Sequence, residues 1–279
     1  MRAKKLFQVN CLLSLLVMVV ACGLANVRTQ VDSFTVGDSP RLEADVDISR
    51  LQVRSTDAGQ VRVETTLRHA RQTEYQVSQT GDTIQLSVRM AQGFSNRSPA
   101  PPVEITISVP PNADLDLRSS SGYLYVNGVS GDITMTSSAG GLQVSDSAGS
   151  LELRTQTGPV ECQRAQGDFV VQSNIGRVDL TDVIGTFDVA TDTGSIYFAG
   201  QLTAARPQRF ASNSGSIDLQ LRDSPGLSVD ASSQTGAVRC TVKMTAATST
   251  RNMCKGVVGA DVAIGELQVR TSTGAITIR

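Results

Sequence analysis

Residues 115–168 read LDLRSSSGYLYVNGVSGD (115–132), ITMTSSAGGLQVSDSAGS (133–150) and LELRTQTGPVECQRAQGD (151–168), and this stretch decides the fold. Glycine falls every nine residues through it and beyond, at Gly122, Gly131, Gly140, Gly149, Gly158, Gly167, Gly176, Gly185 and Gly194. A fixed period with a corner residue is the signature of a repeat architecture. Alternate glycines keep different neighbours, so the unit is 18 residues and continues in FVVQSNIGRVDLTDVIGT (169–186) and FDVATDTGSIYFAG from Phe187. Looser units follow around Gly215, Gly236 and Gly274.

Counted from the first residue of each unit, glycine is eighth. The third, tenth and twelfth positions are apolar throughout, as in Leu117, Leu124 and Val126 or Val171, Val178 and Leu180. Alternation of period two marks strands with one buried face. Two short strands per coil, facing each other across a thin core, satisfy the pattern. One coil alone buries too little apolar surface to offset the ordering of its backbone, so coils must stack. Glycine at the corners supplies the positive φ that a tight reversal needs. The expected fold is an all-β, single-domain β-solenoid, a parallel β-helix or roll of 18-residue, two-strand coils with glycine corners.

The fifth position carries a hydroxyl in every unit: Ser119, Ser137, Thr155, Ser173, Thr191, Ser212, Ser233 and Thr271. Its parity is inward, which predicts a column of hydroxyls bonding corner backbone groups. A nucleophilic serine is the competing reading. It lacks a base, because the one histidine, His69, lies in the N-terminal strand region.

The chain begins with a basic head (Arg2, Lys4, Lys5) and an apolar run from Cys11 to Ala21. That run falls short of the roughly 20 residues of a spanning helix, so residues 1–21 read as a removable export signal. It ends in Val19-Val20-Ala21-Cys22, which resembles the lipobox of bacterial lipoproteins. In that family the cysteine carries the lipid; here Val19 stands where leucine is usual. Cys22 is therefore the expected lipidation site and membrane attachment, and residues 22–33 the tether. An ordinary secretory cut is the alternative.

Residues 34–279 form the domain. Alternating segments lie between 34 and 110, a polar loop at Gln92–Pro102, and regular coils from 115 to 279 interrupted by 241–265, read as a loop. LQVRSTDAG at Leu51–Gly59 nearly repeats LQVRTSTG at Leu267–Gly274, which places the N-terminal strands in the same stack. The insertion holds Lys243, Arg251 and Lys255, the main positive cluster outside the signal. Insertions on solenoids often map to a binding face; a solvated excursion is the plainer reading.

With the three basic residues of the signal gone, 22 basic residues face 26 acidic ones, a charge near −4. No basic stripe interleaved with aromatics points to nucleic acid. Cys162, Cys240 and Cys254 remain in the mature chain, with no CxxC pair, so no metal site is expected. A Cys240–Cys254 bridge would staple the insertion in an oxidising compartment. Asp179 with Asp182 and Asp188 with Asp192 are paired carboxylates, but no nucleophile–base pair accompanies them. No catalytic residue and no cofactor is expected. The calcium-binding nonapeptide shares the period but needs an aspartate that is not fixed here. Tyr123 and Tyr125 point outward together, four coils from Tyr197, which is no glycan platform.

VEITISVPPNADLDLRSSSGYLYVNGVSGDITMTSSAG is similar to the putative-adhesin domain of bacterial surface proteins, a family of unknown function. The match covers Leu42 to Arg279 and departs in the longer spacing after Gly194 and in the insertion with Cys254. The resemblance implies an envelope-exposed β-solenoid without enzymatic activity, and no functional residues to transfer. The expectation is an exported, lipid-anchored surface module binding an envelope protein or glycan. A structural or envelope-stress module that self-associates through open solenoid ends, and a carbohydrate-active enzyme, are the alternatives.

Overall fold

The computed structural model describes residues 27–93, 101–204, 206–223, 225–259 and 263–279. The export signal, Cys11, Cys22 and the first part of the tether lie outside the described residues. The described chain is all-β with one 3-10 turn at Ala70–Gln72. The 18-residue beat becomes a parallel ladder: Leu151 lies opposite Ile133 on one side and Phe169 on the other.

The N-terminal strands are β1 (Arg28–Thr35), β2 (Arg41–Ser55), β3 (Gln60–Leu67), β4 (Thr73–Thr80), β5 (Thr83–Met90) and β6 (Val103–Val109). The regular units supply β7 (Asp114–Asn127), β8 (Ile133–Ala139), β9 (Leu142–Ser145), β10 (Ala148–Thr157), β11 (Val160–Gln163), β12 (Gln166–Ile175) and β13 (Val178–Thr193). After them come β14 (Ile196–Leu202), β15 (Gln208–Ser214), β16 (Ile217–Leu221), β17 (Leu227–Ser233) and β18 (Val238–Cys240). The last four are β19 (Met244–Ser249), β20 (Met253–Val258), β21 (Gly265–Thr273) and β22 (Ile276–Ile278).

Two faces run the length of a solenoid-like stack. The first is ordered β4-β5-β2-β7-β8-β10-β12-β13-β15-β21-β17-β20-β19. The second is β1-β3-β6-β2-β7-β9-β11-β13-β14-β16-β22-β18. Strands β2, β7 and β13 belong to both because they run around a corner. Between the faces every third-position side chain, from Leu117 to Val269, is at 0% exposure. Phe169, Phe187, Phe198 and Phe210 pack at the centre with ring centroids 4.6–6.1 Å apart.

Besides the expected tether, whose residues 28–33 are instead part of β1 and pair antiparallel with β3, four features differ from the sequence reading. A third, shorter side joins the two expected strands, because residues 148–150, 166–168 and 184–186 also pair in parallel. Its inward column is Val129, Ser147, Ala165 and Val183, all buried; serine and alanine break the apolar pattern that would have marked it. Second, the coils do not stack in chain order. β21 lies between β15 and β17, and β22 between β16 and β18, so the last coil is interior. Third, the segment 241–265 is not a loop: β20 pairs antiparallel with both β17 and β19. Fourth, the two LQVR segments are out of phase. Leu51 aligns with Leu124 on the second face, whereas Leu267 aligns with Gln208 on the first. The N-terminal strands join the stack through the register of β2 on β7, not through that resemblance.

Antiparallel pairs edge both faces at the N-terminal end and the first face at the other end, leaving β18 as the one parallel edge among the described residues. At the N-terminal end β1 and β3 are antiparallel on one face and β4 and β5 on the other. Tyr75 in β4 donates to Asp32 in β1 at 2.7 Å, tying the two edges together. Burial, with that bond behind it, holds the Tyr75 phenol above its ordinary range. At the other end, β19 forms the edge of the first face. Its register shifts between Thr245 and Thr248, with Ala246 at φ 50°. A kinked edge of this kind resists pairing with another strand.

Where the beat lengthens after Gly194, a buried amide repairs the backbone. The first position, Phe187 one coil earlier, becomes Gln208 at 0% exposure. Its Oε1 accepts from the Phe187 N–H at 2.7 Å, and its Nε2 donates to the Thr203 and Arg206 carbonyls at 2.7 and 2.9 Å. These are backbone groups that the regular third side would otherwise satisfy. No periodicity argument singles out this residue.

Candidate functional site

The corner glycines are packed by contact as well as by conformation. Gly158 has φ +142°, and a Cβ there would fall on the carbonyl oxygen of Gly140. The same collision recurs at Gly176, whose φ is not in the left-handed region, against the carbonyl of Gly158. Close approach of successive coils is therefore the shared requirement, and positive φ is additional. The contacts also trace the order Gly122, Gly140, Gly158, Gly176, Gly194, Gly215, Gly274, Gly236, with the last coil inserted before the one that precedes it in the chain. Gly131, Gly149, Gly167 and Gly185 form a second column on the third side.

The hydroxyl column bonds those same carbonyls. Thr155 donates to Gly140, Thr191 to Gly176, Ser212 to Gly194, Thr271 to Gly215 and Ser233 to Gly274, at 2.8–3.5 Å. Ser119, at the start of the column, donates to the Asp47 carbonyl at 3.5 Å. Ser137 and Ser173 are buried without a hydrogen-bond partner. His69 precedes the 3-10 turn between β3 and β4, outside this column. The carboxylate pairs are separately engaged. Asp179 accepts from Arg177 at 2.6 Å, Asp182 pairs with Arg222, Asp188 with Arg209 and Asp192 with Asn213. Among the described residues no group of three or more His, Cys, Asp or Glu could hold a metal ion.

Cys162 is wholly enclosed, and burial pushes its thiol up to about 12. A thiol reagent at neutral pH is expected to label it only on unfolding; rapid labelling of the native protein, followed by intact mass, would contradict the burial. Tyr123 and Tyr125 stack at 6.0 Å on the outer surface, as their parity requires.

The part of the molecule that departs from the repeat is the cap formed by residues 227–258. Cys240 in β18 and Cys254 in β20 are joined as a disulfide, with Cα atoms 6.5 Å apart. β18 belongs to the second face and β20 to the first, so the bridge crosses the thin core at the last layer. Val238 N–H donates to the Arg251 carbonyl at 2.9 Å and Ser233 N–H to that of Asn252 at 3.0 Å, closing the cap's hairpin onto the stack. Asp230 is the cap's one acidic residue against Arg239, Lys243, Arg251 and Lys255. Arg270 from β21 grips Asp230 at 2.8 Å, with Lys255 at 3.2 Å, and together they hold its carboxyl below the usual range. Arg239, Lys243 and Arg251 are exposed.

The profile of the Toastrack DUF4097 family matches residues 41–279. The chain belongs to that family. The Toastrack match takes in all strands from β2 onward, including the cap and the interleaved last coil. Solved structures with similarity to this Toastrack chain include a putative adhesin from Bacteroides fragilis, at 10% identity and TM-score 0.44, covering 90% of this chain and 97% of that one. A putative cell adhesion protein from Clostridium sporogenes matches at 12% identity and TM-score 0.32, over 90% and 99% of the two chains. A putative lipid binding protein from Parabacteroides distasonis matches at 11% identity and TM-score 0.30, over 90% and 96%. No curated protein matches the chain. Among the described residues of this Toastrack protein no helix is long and apolar enough to cross a membrane.

Proposed function

We propose that the protein is an exported, lipid-anchored, non-catalytic binding module of a bacterial envelope. In this reading a β-solenoid of 18-residue coils carries a binding surface away from the membrane. The observation that carries it is polarity along the stack. The chain enters at β1, at one end, six residues after the cysteine of the lipobox-like motif, while the elaborated cap occupies the other. On the second face the order runs from β1 to the cap's β18 through ten intervening strands, roughly 50–55 Å at the usual strand spacing. The engaged carboxylates and the hydroxyl column, whose members bond backbone or lie sealed in the core, support a scaffold in preference to an active site.

Replacing Cys22 by Ala is expected to move the protein from the membrane to the soluble fraction. Unchanged fractionation would remove the lipid anchor from this reading. Self-association, the alternative, would have to use the parallel edge at β18, because antiparallel pairs edge the stack elsewhere.

A further inference from the structure

We propose that the cap at residues 227–258 is a docking surface for an anionic polysaccharide. The inference rests on the reading of the protein as an anchored binding module and supplies its ligand class. Charge is unevenly distributed along the stack. The cap holds four cations and one carboxylate, a balance of +3, while residues 103–226 hold seven arginines and fourteen carboxylates, a balance of −7.

The pairing of those charges differs as much as their number. Every arginine between 103 and 226 sits in an ion pair: Arg118, Arg154, Arg164, Arg177, Arg206, Arg209 and Arg222. In the cap only Lys255 does, and it shares Asp230 with Arg270. No ion pair engages Arg239, Lys243 or Arg251 among the described residues, and Asp230 is already engaged by Arg270 and Lys255. Arg239 adjoins Cys240 on the second face and Lys255 adjoins Cys254 on the first, so the disulfide braces the two strands that carry these outward cations. The Arg251 carbonyl is bonded by Val238, next to Arg239. The result is a set of exposed cations distributed around a covalently braced tip.

The chemistry of the tip narrows the partner. None of the exposed large hydrophobic side chains falls within residues 227–258, so the tip has nothing to insert into a bilayer. The hollows of about 450 and 360 Å³ lie at the N-terminal end, between residues such as Glu43 and Gln85 or Arg28 and Tyr75. Spread, unpaired cations suit an extended polymer that presents repeated negative charge, held by several weak contacts.

The test uses the full chain with Cys22→Ala, applied to immobilised polygalacturonate, to neutral dextran and to phosphatidylglycerol vesicles. Retention on polygalacturonate at low salt, with none on dextran, is expected. R239Q/K243Q/R251Q should weaken it about 100-fold, at about a fivefold loss per cation facing an anionic surface. R239K/R251K should keep most of it. All three residues are exposed and outside ion pairs, so the melting temperature of the triple variant should match the parent. Equal retention of the triple variant would overturn the proposal. So would capture by the vesicles without polygalacturonate retention, or light scattering in which the tip's cations serve only to join two copies. Failure of the anchor would appear separately, as identical fractionation of wild type and Cys22→Ala, and leaves the column result intact.

Discussion

Removing residues 265–279 is expected to unfold the whole C-terminal end of the protein, not to shorten it by one layer. In a simple solenoid the last coil is a lid, and its loss exposes the coil beneath. Here β21 and β22 are inserted between β15–β16 and β17–β18. Their loss breaks four parallel ladders and leaves residues 227–258 with no layer to rest on. Leu267, Val269, Ile276 and Ile278 are each at 0% exposure. Burying four such side chains contributes about 6–12 kcal/mol, as large as the total stability of a typical domain. The truncated chain should show early, protease-sensitive loss of 227–258 and a lower, broader melt. A melt within a few degrees of the full chain would show that the last coil is not interior.

Gly158→Val is expected to lower the melting temperature by about 10 °C. A non-glycine residue at positive φ costs roughly 1–2 kcal/mol, and φ at this position is +142°. The larger cost is steric. The new Cβ would occupy the place of the Gly140 carbonyl oxygen, which also accepts from Thr155. Relieving the clash means pushing these two coils apart and weakening the bond between them from the Gly140 N–H to the Thr157 carbonyl, now 2.8 Å. Together these come to about 3 kcal/mol or more, and each kcal/mol moves the midpoint of a domain this size by about 2–4 °C. Gly158→Ala should lose nearly as much, because the first carbon is the obstacle. Gly59→Ala is the control, since nothing lies within 4 Å of its would-be Cβ. Similar melts for the 158 and 59 variants would refute close coil contact as the reason for glycine.

The stack was legible in the sequence because a fixed beat leaves few choices. A glycine every nine residues and apolar residues at the third, tenth and twelfth positions dictate which atoms face inward, and Leu151 pairs with Ile133 and Phe169 as that spacing requires. The third side was not legible, since a three-residue run with Ser147 and Ala165 in its inward column carries no apolar period. The interleaving of the last coil was invisible for another reason. Parallel pairing of β21 with β15 or with β17 satisfies the same inward pattern, so only the connection through β19 and β20 separates chain order from spatial order. Those two strands hid in a segment of mixed Thr, Ala and Ser, with Ala246 breaking the alternation. Of the candidate site, Lys243, Arg251, Lys255 and both cysteines could be named from residues alone, while Arg239 lay outside the insertion. What could not be seen was that Asp230 is engaged by Arg270, which arrives from a strand forty residues later.

The antiparallel strands at both ends separate the length of this molecule from its termini. A parallel coil accepts another coil above or below it, and nothing in the 18-residue register of residues 133–186 distinguishes one coil from the next. Duplicating or deleting a unit there would leave both ends unchanged while altering the height between them by about 4.8 Å. Reach is thus an adjustable quantity in this architecture, and gain or loss of a whole unit can tune it without remaking either end.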